Sequence, residues 1–138
     1  MKSSQRWLVA AFAAAFGLAG CGTQESGSTP GSKTDAAIVR IGSIAPLTGP
    51  QAHLGKDNDN GAQLAVEEIN AAGLKLAGKP VRLELISEDD QADPRTATII
   101  AQKLVDGGVA GVIGHLNSGA TIPASKIYSD AGIPQISP

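Results

Sequence analysis

Residues 109–138 read VAGVIGHLNSGATIPASKIYSDAGIPQISP, and this run decides the fold. Ala110–Gly114 (AGVIG) is short and apolar, the composition of a strand buried on both faces. Polar residues interrupt it at His115–Ser118. Ala120, Ala124, Ile127, Tyr128 and Ala131 then recur at helical spacing and define one inward face. Pro123 requires that the helix start close by, between Ser118 and Thr121, because proline fits only the first turn. Gly132 suits its C-terminal cap. Ile133–Ser137 (IPQIS) begins a further strand.

The same alternation runs upstream. Ile38–Ala45 (IVRIGSIA) reads as a buried strand, followed by a long loop, PLTGPQAHLGK, at 46–56. From about Asp57, residues Ala62, Ala65, Val66, Ile69 and Ala72 fall on one helical face, with Gly73 as its cap. Gly78-Lys79-Pro80 is a turn, and Val81–Glu88 (VRLELISE) is the second strand. Asp93 is an N-cap with Pro94 at the first helical position. Ala97, Ile100, Ala101 and Leu104 form the next apolar face, which Gly107-Gly108 ends. Strands alternating with helices over short links give right-handed crossovers. The fold class is therefore α/β, an open parallel sheet with helices on both faces.

The N-terminus reads as an address. Lys2 and Arg6 precede an apolar run from Trp7 to Gly17, too short for a membrane span and laid out as a secretory signal. Leu18-Ala19-Gly20-Cys21 resembles the bacterial lipoprotein signal, in which cleavage precedes the cysteine and its thiol is lipidated. Residues 1–20 are thus expected to be a lipoprotein signal peptide, with Cys21 as the lipidation site. Residues 21–36 are expected to form a lipid-anchored flexible tether, rich in Gly, Ser and Thr, with a reach of about 20 Å. Residues 37–138 form the folded part. An open sheet that stops after its fourth strand has a bare edge, so this part is expected to be the front of a longer protein.

Composition excludes several functions. The chain has 138 residues, with 11 Lys+Arg against 13 Asp+Glu, which offers no electrostatic footprint for nucleic acid. Tyr128 is the only aromatic residue after Phe16, so there is no base-stacking platform. One cysteine cannot make an internal disulfide.

In an open parallel sheet, ligands bind beyond the carboxyl ends of the strands. Three segments lie there: Ala45–Lys56, Glu88–Asp93 and His115–Thr121. The last holds Asn117, Ser118 and Thr121 at a helix start, where free N–H groups and the positive helix end favour a carboxylate. Gly119 allows close approach to the backbone. Ser118 or Thr121 capping its own helix is the plain alternative. The acidic group Glu88, Asp89, Asp90 and Asp93 lacks the ligand spacing and central glycine of a hard-cation loop. Asp93 reads as the N-cap and the others as a solvated strand end. His53 and His115 are far apart with no cysteine nearby, so no metal site is expected. No nucleophile–base pair, dinucleotide fingerprint or phosphate loop is present, so no catalysis and no cofactor are expected.

The segments IGSIAPLTGPQAHLGKD, GAQLAVEEINAAGL, DDQADP and VAGVIGHLNSGATIPASKIYSDAGIPQISP resemble the N-terminal part of leucine/isoleucine/valine-binding proteins. These are type I periplasmic substrate-binding proteins of ABC importers. The resemblance implies two α/β lobes closing on a ligand, with residues 37–138 as the first part of lobe one. It implies capture of a branched-chain or other small amino acid and delivery to a membrane permease, by an exported lipoprotein held at the membrane through Cys21. A ligand-sensing or regulatory lipoprotein of the same fold is the alternative. By the family's pattern, Ser118 binds the ligand carboxylate, and Leu116 and Asn117 line the same wall. Leu54 stands where several members place a tyrosine in the cleft. Ala92 and Asn117 stand where some members carry a pair of cysteines.

Overall fold

A computed structural model describes residues 36–138. The expected signal peptide (1–20), Cys21 and all but the last residue of the expected tether (21–36) lie outside the described residues. The elements are strand β1 (Ala37–Ala45), helix α1 (Ala52–Ala72), strands β2 (Lys75–Leu76) and β3 (Lys79–Asp89), helix α2 (Pro94–Asp106), strand β4 (Gly111–Gly114), helix α3 (Ser118–Asp130) and strand β5 (Gln135–Ile136). The sheet order is β2-β3-β1-β4-β5. β1 pairs in parallel with β3 and β4, and β4 in parallel with β5.

The α/β architecture is the one the sequence predicts, with two departures. β2 pairs antiparallel with the start of β3, so the sheet is mixed at one edge. The tip of this hairpin is Ala77-Gly78, both at positive φ, and of the expected Gly78-Lys79-Pro80 turn Lys79 and Pro80 already belong to β3. Helix α1 begins at Ala52 rather than near Asp57, so His53, Leu54 and Gly55 are helical. Gly55 belongs in the helix because a Cβ there would lie 2.0 Å from the carbonyl oxygen of Pro46. The first turn of α1 is pressed directly onto the chain leaving β1.

Alternation along the strands sorts the layers. On β1, Ile44 belongs to the buried cluster of Ile100, Ala101, Leu104, Val109, Val112, Ala124 and Tyr128, which binds α2 and α3 to one face. A Cβ on Gly42 would come 2.9 Å from Leu104 Cδ1, so glycine lets α2 approach closely there. On the other face, Ser43 reaches Asp59 of α1 at 2.6 Å. Asn70 of α1 grips β3 through both its amide atoms. Its Nδ2 donates to the Leu83 carbonyl at 2.9 Å, and its Oδ1 accepts from the Leu83 N–H at 2.8 Å. Helices therefore cover both faces.

Capping agrees with local chemistry. Asp93 Oδ1 accepts from the Thr96 N–H at 2.7 Å, with Pro94 at the helix start. Gly73 caps α1 at φ 76, and Gly132 follows α3 at φ 69. Helix α3 starts at Ser118, the early end of the expected range, so Pro123 sits inside it. The missing N–H leaves the Gly119 carbonyl without its helical donor, on an exposed residue.

Candidate ligand-binding edge

Register brings the strand ends together. Ala45 is level with Asp89, and Ile44 with Gly114. Pro46, Asp90 and His115 therefore leave the sheet side by side at one edge, the carboxyl edge where ligands bind in open α/β folds.

The loop after β1 is tied down by Asp89. Its Oδ1 accepts from the N–H of Leu47 at 2.8 Å and of Gln91 at 2.9 Å. Its Oδ2 accepts from the Thr48 hydroxyl at 2.6 Å. Partial burial opposes ionisation, but the bonds from Thr48, Gln91 and Leu47 outweigh it and hold the carboxyl below the usual aspartate value. Asp93 is also held low, by the Thr96 N–H and hydroxyl.

The expected solvated strand end is therefore only partly so. Asp90 is fully buried, a correction to the sequence reading. Its side chain points inward and meets His115, which sequence inspection weighed, and set aside, as a metal ligand and as a base for Ser118. Tyr128 completes this buried group. Burial first, and then the Asp90 charge, push the Tyr128 phenol up. Among the described residues no cluster of His, Cys, Asp and Glu could hold a metal ion.

The start of α3 is open. Asn117 occupies the N-cap position but makes no side-chain cap bond. Its Nδ2 instead donates to Gln51 Oε1 at 2.7 Å, and its Oδ1 is buried without a partner. The Thr121 hydroxyl is turned back to the His115 carbonyl at 2.8 Å and the Asn117 carbonyl at 3.1 Å. Neither Thr121 nor Ser118 caps the helix. The first N–H groups bonded within the turn are those of Ala120 and Thr121, both to the Asn117 carbonyl at 2.9 Å. Among the described residues, the N–H groups of Ser118 and Gly119 and the Ser118 hydroxyl have no partner, and both residues are exposed.

Of the expected site residues, Leu116, Asn117, Ser118 and Gly119 thus form one continuous edge. Leu54 sits in the first turn of α1, half exposed, one turn beyond Gln51. Sequence reading missed Gln51, whose only signal is its place in a long loop. Two grooves elsewhere, one along α1 and β3 by Gln63, Asn70 and Glu84, the other on the open sheet face by Ile41, Ile69, Ile113 and Ile136, contain no residue of 115–121.

Comparisons with known proteins agree with this geometry. The periplasmic binding protein family model matches residues 38–138. A Leu/Ile/Val-binding protein homolog 1 of Brucella abortus (strain 2308) is 42% identical over 102 residues, 74% of this chain and 27% of that protein. The structure superposes on the branched-chain amino acid transporter substrate-binding protein LivJ of Streptococcus pneumoniae, solved with isoleucine. The TM-score is 0.66 at 37% identity, over 72% of this chain and 28% of that one. A solute-binding protein of an ABC transporter from R. palustris, solved with benzoate, matches with TM-score 0.61 at 28% identity, over 73% of this chain and 27% of that one. The chain spans about a quarter of the length of these relatives. With the family model matching residues 38–138, the chain belongs to the periplasmic binding protein family.

Proposed function

We propose that this chain contributes the first part of the ligand-binding lobe of a substrate-binding protein that serves an ABC importer and captures a small amino acid, branched-chain members foremost. The observation that carries the proposal is the open start of α3, where the Ser118 and Gly119 N–H groups and the Ser118 hydroxyl have no partner among the described residues, at the sheet's carboxyl edge. Three unpaired donors at the positive end of a helix suit a carboxylate. Isoleucine and benzoate, the ligands of two solved relatives, have a carboxylate in common. In this reading Leu116, Asn117 and Leu54 line the wall against the rest of the ligand.

Binding would proceed without bond chemistry. The carboxylate meets the α3 start, and the lobes shift toward a closed state that the ligand favours through contacts absent from the open one. The closed form then docks on a membrane permease. Export through residues 1–20 and lipidation at Cys21 would keep the protein at the membrane, since more than one acyl chain gives stable anchoring. No helix among the described residues is long and apolar enough to cross a membrane.

The test is calorimetric titration of the full gene product with L-leucine, L-isoleucine, L-valine, leucinamide and benzoate. Saturable binding of the amino acids, with leucinamide excluded, is the expected result. Equal binding of leucinamide would remove the carboxylate from the recognition scheme, and binding of benzoate alone would move the ligand to aromatic acids.

A further inference from the structure

The side chains of Asp90, His115 and Tyr128 make no hydrogen bond to residues 116–119, and each residue is 0% exposed. Their side chains form a line: His115 Nδ1 lies 2.8 Å from Asp90 Oδ2, and Nε2 lies 3.3 Å from the Tyr128 hydroxyl. With Asp90 ionised, Nδ1 carries the ring proton and donates it, and Nε2 accepts from Tyr128. Asp90 Oδ1 accepts from the Ala92 N–H at 2.9 Å. Every polar atom of the three side chains is thereby used.

Such a group is costly. Withdrawing a carboxylate from water opposes folding by several kcal/mol, and well-packed apolar residues of similar volume are often as stable. The surroundings, Ile44, Leu104 and Ala124 among them, would accept such residues. Stability alone gives no reason for the cluster. Its effect is geometric. The ring of His115 is fixed by the loop after β3 and by the last turn of α3. The carbonyl of the same residue accepts from Thr121 at 2.8 Å and from Ser137, beyond β5, at 2.8 Å. One residue thus joins three of the segments at the ligand edge, and Ser118 follows it by three positions.

We propose that His115 is a positioning residue for the ligand site, clamped by Asp90 and Tyr128 so that Ser118 and Gly119 present their unpaired N–H groups to the cleft. The proposal rests on the carboxylate-binding reading of the α3 start.

The test uses Asp90→Asn and the milder Tyr128→Phe in the full gene product, at a temperature well below the melting point of each variant. A residue that only supports folding leaves the affinity of the folded protein unchanged under those conditions. Three quantities are read: L-leucine affinity by calorimetry, the amide shifts of residues 116–119, and the His115 ring nitrogen shifts by NMR. The expected result is a loss of affinity of about tenfold in Asp90→Asn, displaced amides at 116–119, and ring shifts in the parent protein that move as leucine saturates it. Tyr128→Phe shows the same pattern more weakly. If the parent binds none of the acids tried, the carboxylate reading fails, and displaced amides at 116–119 still support the clamp. Unmoved amides in both variants, with or without ligand binding, overturn it.

Discussion

The side chain of Asn117 donates to that of Gln51 across 2.7 Å, a contact between residues 66 positions apart in the chain. It fastens the start of α3 to the start of α1. The bond also explains why Asn117, at an N-cap position, does not cap: its amide is committed to Gln51, and the first N–H groups of α3 stay free. A local capping interaction has been exchanged for a long-range one, and an open donor set results.

Gln51→Ala breaks that tie. The Asn117 amide is then free to turn and cap its own helix, competing with the ligand for the same N–H groups. Stability falls by about 1 kcal/mol, the usual worth of one such hydrogen bond, and ligand affinity falls as well. Chemical denaturation and titration of the same sample check both.

Ser118→Ala removes one of the three unpaired donors. Loss of a hydrogen bond to a charged carboxylate costs about 1–3 kcal/mol of binding free energy. Because the hydroxyl has no intramolecular partner among the described residues, the melting temperature should not change. Unaltered calorimetric affinity would exclude Ser118 from the site.

Acid sensitivity follows from Asp89 and Asp93. Both carboxyls are held below their ordinary value in the folded protein by hydrogen bonds from neighbouring N–H and hydroxyl groups. A lowered folded-state value means stability that is fully present above the unfolded-state value, about 3.9, and lost as pH falls through the folded-state value. The melting temperature should therefore fall steeply only below that range. Asp89→Asn lowers the neutral-pH melting temperature and flattens the acid limb; an acid limb identical to the parent's would show that the Thr48 and Leu47 contacts contribute nothing.

Two glycines should respond in opposite directions. Gly114 has φ 122, and a Cβ there would lie 2.2 Å from the Ile44 carbonyl oxygen. Gly114→Ala should destabilise by about 3 kcal/mol or more, combining backbone strain and overpacking. Gly61 lies within α1 with open space where its Cβ would be. Gly61→Ala should stabilise by about 1 kcal/mol through helix propensity. Denaturant melts of the two variants side by side are sufficient.

Elements whose signals lie within a few residues are legible in the amino-acid sequence. Asp93 and Pro94 mark the start of α2, because cap and helix are adjacent in the chain. The spacing of Ala97, Ile100, Ala101 and Leu104 identifies its buried face, since helical periodicity is itself a local property. Ser118 and Gly119 at a helix start are legible for the same reason. β2 is not, because two residues of Lys and Leu have no period to read.

The early start of α1 is hidden because Gly55 looks like a breaker. It is helical through contact with Pro46, nine positions upstream, whose carbonyl excludes any side chain. Asp90 looks solvated because its neighbours Asp89 and Glu88 are polar; its side-chain partner is His115, brought beside it by the pairing of β1 with both β3 and β4. The chain's own residues mark most of its strands and helices, because hydrophobic period and caps act over one or two turns. Which polar side chains are buried, and which helix donors stay free, depends on partners 25 and 66 residues away, and proximity of that kind exists only once the sheet has assembled.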